Sequence, residues 1–564
     1  MLPVHFTPKL FSLLRQGYTL NTFKSDLMAG LTVAIIALPL SMALGIASGA
    51  SPDKGLVTAV IAGFLISFLG GSRVQIGGPT GAFIVVVFNV IAKHGYNGLL
   101  LATLLAGIIL IIAGYARFGR VVKYIPYPVV TGFTAGIAVI IASSQIKDFL
   151  GLDIAEVPAE FIAKWQSYFV HLDSFSATTF AIGLGALLII ILLKRYAPKL
   201  PAYLIAVTLA AVGVFALQLP VATIGSRFPD LPTGLPAPQL MAWDFDQLIA
   251  IVPSAFTIAF LAGIESLLSA VVADGMMGSR HRSDQELIGQ GVANIASAFF
   301  GGMPATGAIA RTATNVRSGG KTPIAGMSHA VFILLFILFA GDAMAFVPLA
   351  ALSAILFVVA WNMSEFQHFI HIIGLSKSDR IVMLLTFALT VLVDLTVAIG
   401  VGVTLASLLF MREMSNTVTL RSQGRHIRDV SGEPEEDEDQ REFLPEGVEV
   451  FRITGPIFFG VAGTMLDTLQ ALGSTPKILI VRMKHVPYMD VAGLNAIKNL
   501  IKECHTKKTV IIFSGLQQQP AELFDKAGIR DNHVDLWRTP SYDDAIVLVH
   551  QLVGQASTEA ENSR

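Results

Sequence analysis

The stretch Phe299–Lys321, FFGGMPATGAIARTATNVRSGGK, sets an arginine in the middle of a strongly apolar chain, and few folds accommodate that. Gly301-Gly302-Met303-Pro304 interrupts any helix, Thr306 offers a new start, and Ser318-Gly319-Gly320-Lys321 closes it. About a dozen residues at 1.5 Å each cover roughly 18 Å of a hydrocarbon layer about 30 Å thick. Such a helix therefore starts near the bilayer midplane. Non-helical backbone persists at that depth only where protein or a polar cavity covers it. First-turn N–H groups pointing into that cavity favour an anion, and so does Arg311.

A second copy of the pattern precedes it. Phe68-Leu69-Gly70-Gly71 leads to Pro79-Thr80-Gly81-Ala82 and a short helix ending at Lys93-His94, in the order in which Phe299-Phe300-Gly301-Gly302 leads to Pro304-Ala305-Thr306-Gly307-Ala308. Short Gly/Pro-interrupted segments at matching places in two halves point to the binding site of a secondary transporter. The plainer alternative is a pair of breaker loops, because membrane helices carry more Gly and Pro than soluble ones. Candidate anion contacts are Thr80, Gly81, Ala82, Thr306, Gly307, Ala308, Ala310 and Arg311, with Thr80 and Thr306 also fitted to be helix N-caps. Glu265, in Ala262-Gly263-Ile264-Glu265-Ser266-Leu267 with no lysine nearby, is the candidate proton-coupling site. Desolvation favours its neutral form and a close Arg311 its charged form, and that tension suits proton exchange. A plain helix–helix hydrogen bond is its structural alternative.

With 53% hydrophobic and 14% charged residues and a mean hydropathy of +0.66, a chain of 564 residues is a polytopic membrane protein. A net charge of -1 leaves no basic surplus for nucleic acid. Cys504, the single cysteine, has no disulfide or metal partner, and no cofactor is expected. The absence of a P-loop, H-E-x-x-H or Gly-x-Ser-x-Gly argues against an enzyme, so transport draws on an ion gradient or on exchange.

Residues 1–25 read as an amphipathic cytoplasmic N-terminus lying against membrane lipid. Apolar segments follow at 29–47 (an uncleaved first helix), 55–70, 80–92, 98–116, 124–143, 177–194 and 202–218, then at 247–272, 285–300, 306–318, 324–341, 344–361, 379–394 and 396–411. An amphipathic outer segment spans 149–175. Fourteen segments, seven in each half, force the halves (26–218 and 247–412) into opposite orientation, an inverted repeat. With both termini cytoplasmic, fourteen Lys/Arg fall inside (among them Arg73, Arg117, Arg280, Arg317 and Arg412) against Lys93, Lys147, Lys164 and Arg227 outside. Asp394 falls at a predicted outer turn. After the transport region 26–412, residues 413–439, with the run Glu433 to Asp439, read as an acidic linker, and 440–553 as a cytosolic α/β domain before a tail, 554–564. Its expected strands are 448–453, 477–482 and 507–514, and its helices lie near 461–472, 491–503, 519–527 and 541–552.

Asp26-Leu27-Met28-Ala29-Gly30-Leu31-Thr32-Val33, Gly78-Pro79-Thr80-Gly81-Ala82, Gly263-Ile264-Glu265-Ser266-Leu267-Leu268, Gln285-Glu286-Leu287-Ile288-Gly289-Gln290-Gly291 and the Phe299–Lys321 block resemble, in order and over nearly the whole chain, the SulP anion transporters, the sulfate permease type. The resemblance implies a core and a gate domain, a substrate between two facing half-helices, elevator-like movement, homodimers and an inner-membrane location. The terminal domain resembles the STAS module, with a surface for a cytosolic protein. Relatives in that module phosphorylate a Ser or Thr after an Asp, whereas this chain reads Asp490-Val491-Ala492-Gly493 with no hydroxyl. Tyr124-Ile125-Pro126, Gln145 to Leu152, Trp361-Asn362-Met363-Ser364-Glu365 and Leu408 to Arg412 resemble the enteric branch assigned to four-carbon dicarboxylates, which implies proton-coupled uptake of succinate or fumarate. Sodium-dependent bicarbonate members carry an aspartate where Glu265 stands. Bicarbonate or sulfate carried with sodium or protons, an uncoupled channel or exchanger, and a signalling scaffold acting through the terminal domain are the other readings.

Overall fold

The computed structural model describes residues 6–562 apart from 121–125, 156, 159, 199, 230–233, 240–244, 394, 423–443 and 462–475. It forms two units, Met1–Ala406 and Ser407–Arg564.

In the first unit, α1 (Lys9–Arg15) precedes α2 (Leu20–Ala47), which Thr19 caps by accepting a hydrogen bond from the Thr22 N–H at 3.2 Å. α3 (Pro52–Leu69) has proline in its first turn, where a missing N–H is harmless. The extended β1 (Gly77–Gly78) and a 3₁₀ turn, Gly81–Phe83, lead into α4 (Ile84–Tyr115). Gly95 breaks α4 with φ 68° and ψ 179°, a conformation essentially reserved for glycine, so this run makes two membrane segments. α5 (Tyr127–Leu150), α6 (Phe161–Val170), α7 (Ala177–Tyr196) and α8 (Ala202–Leu217) complete the first half, and the single turn α9 (Ile224–Arg227) starts the connection. The second half runs α10 (Phe245–Met277), α11 (Ser283–Phe299), β2 (Thr306–Gly307), α12 (Ile309–Arg317), α13 (Ile324–Ala340), α14 (Leu349–Met363), α15 (Phe366–Gly374), α16 (Lys377–Leu392) and α17 (Leu395–Thr417).

All fourteen expected segments are present, and their packing is that of an inverted repeat. Contacts between halves come in mirrored pairs: α13 on α2 with α10 on α4, α13 on α3 with α11 on α4, and α16 on α5 with α14 on α7. The amphipathic α6 between α5 and α7 matches α15 between α14 and α16. Glycine on both sides lets α4 and α11 cross closely. A Cβ on Gly107 of α4 would lie 2.6 Å from the Gly291 carbonyl of α11, and one on Gly291 would lie 2.5 Å from the Gly107 carbonyl.

In the first unit three expectations need correcting. The N-terminal amphipathic segment ends at Thr19 and not at residue 25, because α2 takes Asp26 into its buried interior. That carboxylate accepts from the N–H groups of Lys321 (2.6 Å) and Thr322 (3.1 Å), the Thr322 hydroxyl (2.5 Å) and the Tyr18 hydroxyl (3.0 Å), so it helps open the turn before α13. The short second-half helix starts at Ile309, since Thr306–Gly307 is committed to β2. α15 was not expected at all: its His368 and His371 interrupt the apolar run from which segments are read. Tyr124, Ile125 and Asp394 lie outside the described residues.

The second unit is a five-stranded sheet, β3 (Thr419–Ser422), β4 (Val448–Thr454), β5 (Ile478–His485), β6 (Val510–Ser514) and β7 (Leu536–Thr539), in sequence order, with β3 antiparallel to β4 and the rest parallel. α18 (Val491–Thr506) and α19 (Gln518–Lys526) cover the face carrying Phe451, Leu479, Val481 and Phe513. α20 (Tyr542–Asn562) covers the other through Ala545 and Val549. Both faces of β5 are thus covered, and its first six residues are buried. Residues 413–422 are the end of α17 and the edge strand β3, not linker. Thr419 to Ser422 pairs with β4 despite its polar flanks. The acidic run and most of the helix expected near 461–472 lie outside the described residues. Cys504 packs into the α18 face, where burial and Glu503 push its thiol up to about 11 and keep it a neutral core group.

Candidate functional site

The two short helices start against each other. β1 and β2 pair antiparallel, Gly77 with Gly307 and Gly78 with Thr306, so the residues immediately before each half-helix are joined across the repeats. The Ala308 N–H donates to the Ile76 carbonyl at 2.8 Å and extends the junction. Gln75 fits only because position 307 is glycine: a Cβ there would sit 1.5 Å from its Nε2. That amide donates instead to the Ser266 hydroxyl and carbonyl of α10, at 2.9 and 3.2 Å.

Arg311, in the first turn of α12, is 3% exposed. Its Nη2 donates to the carbonyl of Pro79 in the opposite repeat, while Nη1 is buried with no hydrogen-bond partner. The guanidinium lies over Gly78, where φ is 146° and a Cβ would meet Nη1 at 2.6 Å. Thr80 donates its hydroxyl to Glu265 Oε2 on α10 at 2.8 Å, leaving its half-helix without a side-chain cap. Thr306 is fully buried and donates to the Ala262 carbonyl at 2.7 Å, one turn before Glu265 on the same helix. Neither threonine caps a helix, and Ala308 holds the cap position of α12. The 3₁₀ turn at Gly81 and Ala82 packs against Met363, which a Cβ on Gly81 would approach to 2.8 Å. Ala310 lies on the accessible side of α12, and Ala308 beneath it is buried.

Residues outside the set of candidate anion contacts hold this arrangement. Glu286 of α11, fully buried, accepts from the N–H groups of Gly71 (2.8 Å) and Ser72 (3.0 Å), the Ser266 hydroxyl (2.9 Å) and the Gln290 amide (2.9 Å). It ties the loop before β1 to α10 and α11. Asn294 accepts the Ala305 N–H and donates to the Ala305 carbonyl, both at 2.8 Å, fixing the chain before β2. Thr312 of α12 accepts from the Ile76 N–H at 3.0 Å and the Ser269 hydroxyl at 3.2 Å. His329 on α13 is fully buried against Gly63, and neither ring nitrogen has a hydrogen-bond partner. Its signal was available: a lone imidazole inside Ile324–Ala340, an otherwise apolar segment. Among the described residues, no three His, Cys, Asp or Glu side chains converge as a metal site.

In the second unit, Asp490 caps α18 by accepting from the Gly493 N–H at 2.7 Å and also takes the Phe459 N–H at 3.1 Å. The aspartate of the Asp-hydroxyl pair is present as a helix cap, with Val491 exposed where the hydroxyl would be.

Comparison with known proteins agrees with this fold. Residues 23–386 match the sulfate permease family, and residues 444–545 match the STAS domain. The putative sulfate transporter YvdB of Bacillus subtilis is 41% identical over 91% of this chain and 95% of its own length. The bicarbonate transporter BicA of Picosynechococcus is 32% identical over 90% of this chain and 91% of its own. The solved structure of the murine solute carrier 26 family member A9 superposes with a TM-score of 0.84 over 97% of this chain and 94% of that one at 18% identity, a likeness of fold.

Proposed function

The chain belongs to the sulfate permease family, and from that membership we propose that it is a secondary active carrier of a small inorganic oxyanion, bicarbonate or sulfate, coupled to protons. The observation that carries this reading is Arg311: a buried guanidinium at the meeting of two half-helix starts, with one nitrogen held by the Pro79 carbonyl and the other unpartnered. A buried cation with a free donor, flanked by first-turn N–H groups, is a place for an anion. Gly81 and Ala82 at the start of the first half-helix and Ala310 in the first turn of the second offer backbone N–H groups and small side chains, so an anion would bind through these and Arg311, while Gly307 and the Ala308 N–H are taken up by the β1–β2 junction. The relatives described above are named for sulfate and bicarbonate, which favours an oxyanion over the four-carbon dicarboxylate that Tyr124 to Pro126 and Trp361 to Glu365 suggested.

Glu265 supplies the coupling. A single carboxylate held by one threonine hydroxyl suits a proton, whereas sodium needs several oxygens at fixed distance. A neutral glutamic acid also avoids carrying a second negative charge through the membrane with the substrate. Movement of α2–α4 with α10–α13 against α5, α7, α8, α14, α16 and α17 would expose the site alternately, in a homodimer of the cell membrane with both termini cytoplasmic. The STAS domain would offer a cytosolic protein a docking surface.

Uptake of bicarbonate, sulfate and succinate into proteoliposomes, with a proton or a sodium gradient imposed separately, tests the proposal. Accumulation of an inorganic oxyanion under an inward proton gradient is expected. Sodium-driven uptake, succinate accumulation alone, or conductance without coupling would each overturn it.

A further inference from the structure

The second unit carries a concave site remote from the Asp490 cap. It lies beside the C-terminal half of α18, at the edge of the sheet where the parallel strands begin, and encloses about 300 Å³. Ile501, Ile511 and Leu536 form its apolar floor, while Lys498, Lys502 and His505 line it from the helix.

The charges around this pocket do not cancel. Asp535, its one carboxylate, has both oxygens engaged, Oδ1 by the Asn532 amide and Oδ2 by His505 Nδ1. Those two hydrogen bonds hold its carboxyl below the usual range, so it stays ionised and bound to them. Asn532 is itself pinned, accepting the N–H groups of Val534, Asp535 and Leu536 at 3.0, 3.1 and 2.9 Å. The ammonium groups of Lys498 and Lys502 therefore meet no carboxylate among the described residues. Their spacing of four puts them on one face of α18, one turn apart. Complementing the helix dipole does not account for them: that effect is confined to the last turn, which Glu503 to Thr506 occupy. With the Nδ1–H of His505 donated to Asp535, Nε2 is left over, and in the protonated ring it carries a second N–H that can be donated to an anionic ligand.

We propose that this pocket binds a small soluble phosphate monoester with an apolar body. Two lysines as point charges match a dianion, the free imidazole nitrogen adds a contact, and the isoleucine and leucine floor takes the organic part. A carboxylate monoanion leaves one lysine unmatched.

The test is calorimetric titration of the full-length protein in nanodiscs with phenyl phosphate, inorganic phosphate and benzoate, and separately with vesicles containing phosphatidic acid. Phenyl phosphate is expected to bind with a submillimolar dissociation constant, ahead of the other two, and about tenfold or more weaker to the Lys498→Ala/Lys502→Ala variant. Both lysines are exposed, so that variant should fold, and an unchanged melting curve verifies it. Binding should persist in Arg311→Ala, which separates this pocket from the transport site. No heat up to about 10 mM ligand, equal affinity in the double variant, or loss of binding in Arg311→Ala would overturn the proposal. Binding to the vesicles alone would assign the pocket to a lipid headgroup and overturn it as well.

Discussion

The two repeats share one architecture but contribute unequally to the site. Both charged groups, Glu265 and Arg311, come from the second repeat, and a neutral group of the first meets each: the Thr80 hydroxyl for Glu265 and the Pro79 carbonyl for Arg311. The breaks after the short helices differ too. The first turns on Gly95 alone, with open space around it, and the second on Ser318 to Pro323, closed by Asp26. Symmetry of the scaffold thus brings two helix starts together, and asymmetry of side chains gives the pair its chemistry. Thr80 and Pro79 hold the charges of the other repeat in place without adding charge of their own.

Removing a charge should therefore do more than removing its neutral partner. Glu265→Gln is expected to abolish acid-driven accumulation while exchange of internal for external anion continues, because glutamine mimics the protonated form permanently. Radiolabelled uptake with and without an inward proton gradient measures both, and undiminished accumulation would break the division of roles. Thr80→Val keeps the carboxylate but removes its hydrogen bond, worth about 1.5 kcal/mol, or roughly tenfold, when one partner is charged. Acid-driven uptake should fall by about that factor and retain its proton dependence, and a loss as complete as that of the glutamine variant would place the coupling group on the first repeat. Gly95→Ala should do least to transport. It meets no neighbour, so only backbone strain of about 1–3 kcal/mol opposes it, seen as a lowered melting temperature. An unchanged melting temperature would mean the break in α4 is not conformationally demanding.

Much of this was legible in the chain, and the gaps have physical causes. Each membrane segment is an apolar run between Gly, Pro or charged punctuation, so their number and the inverted repeat followed directly. Arg311 and Glu265 stood out because charge is rare in such runs. The start of α12 was misplaced by three residues since β2 exists only through its pairing with β1, a contact between residues more than two hundred apart that no local pattern records. Asp26 looked like a boundary because a charge inside a helix is unfavourable until its partners, Lys321 and Thr322, arrive from the other repeat. Glu286 escaped for the same reason: its four donors converge from three separate places in the chain. Thr80 and Thr306 look like caps by position, yet the hydroxyl of each donates to an acceptor on α10, and neither accepts an N–H as a helix cap.

The most direct test of an anion held between the half-helices by Arg311 is equilibrium binding of bicarbonate and sulfate to purified wild-type and Arg311→Ala protein, with a melting curve on both. One buried charge-assisted contact is worth roughly 1.5–3 kcal/mol, so the variant should bind about ten- to a hundredfold more weakly while still folded. Wild-type affinity in a folded Arg311→Ala protein would contradict the assignment and take the arginine out of the site.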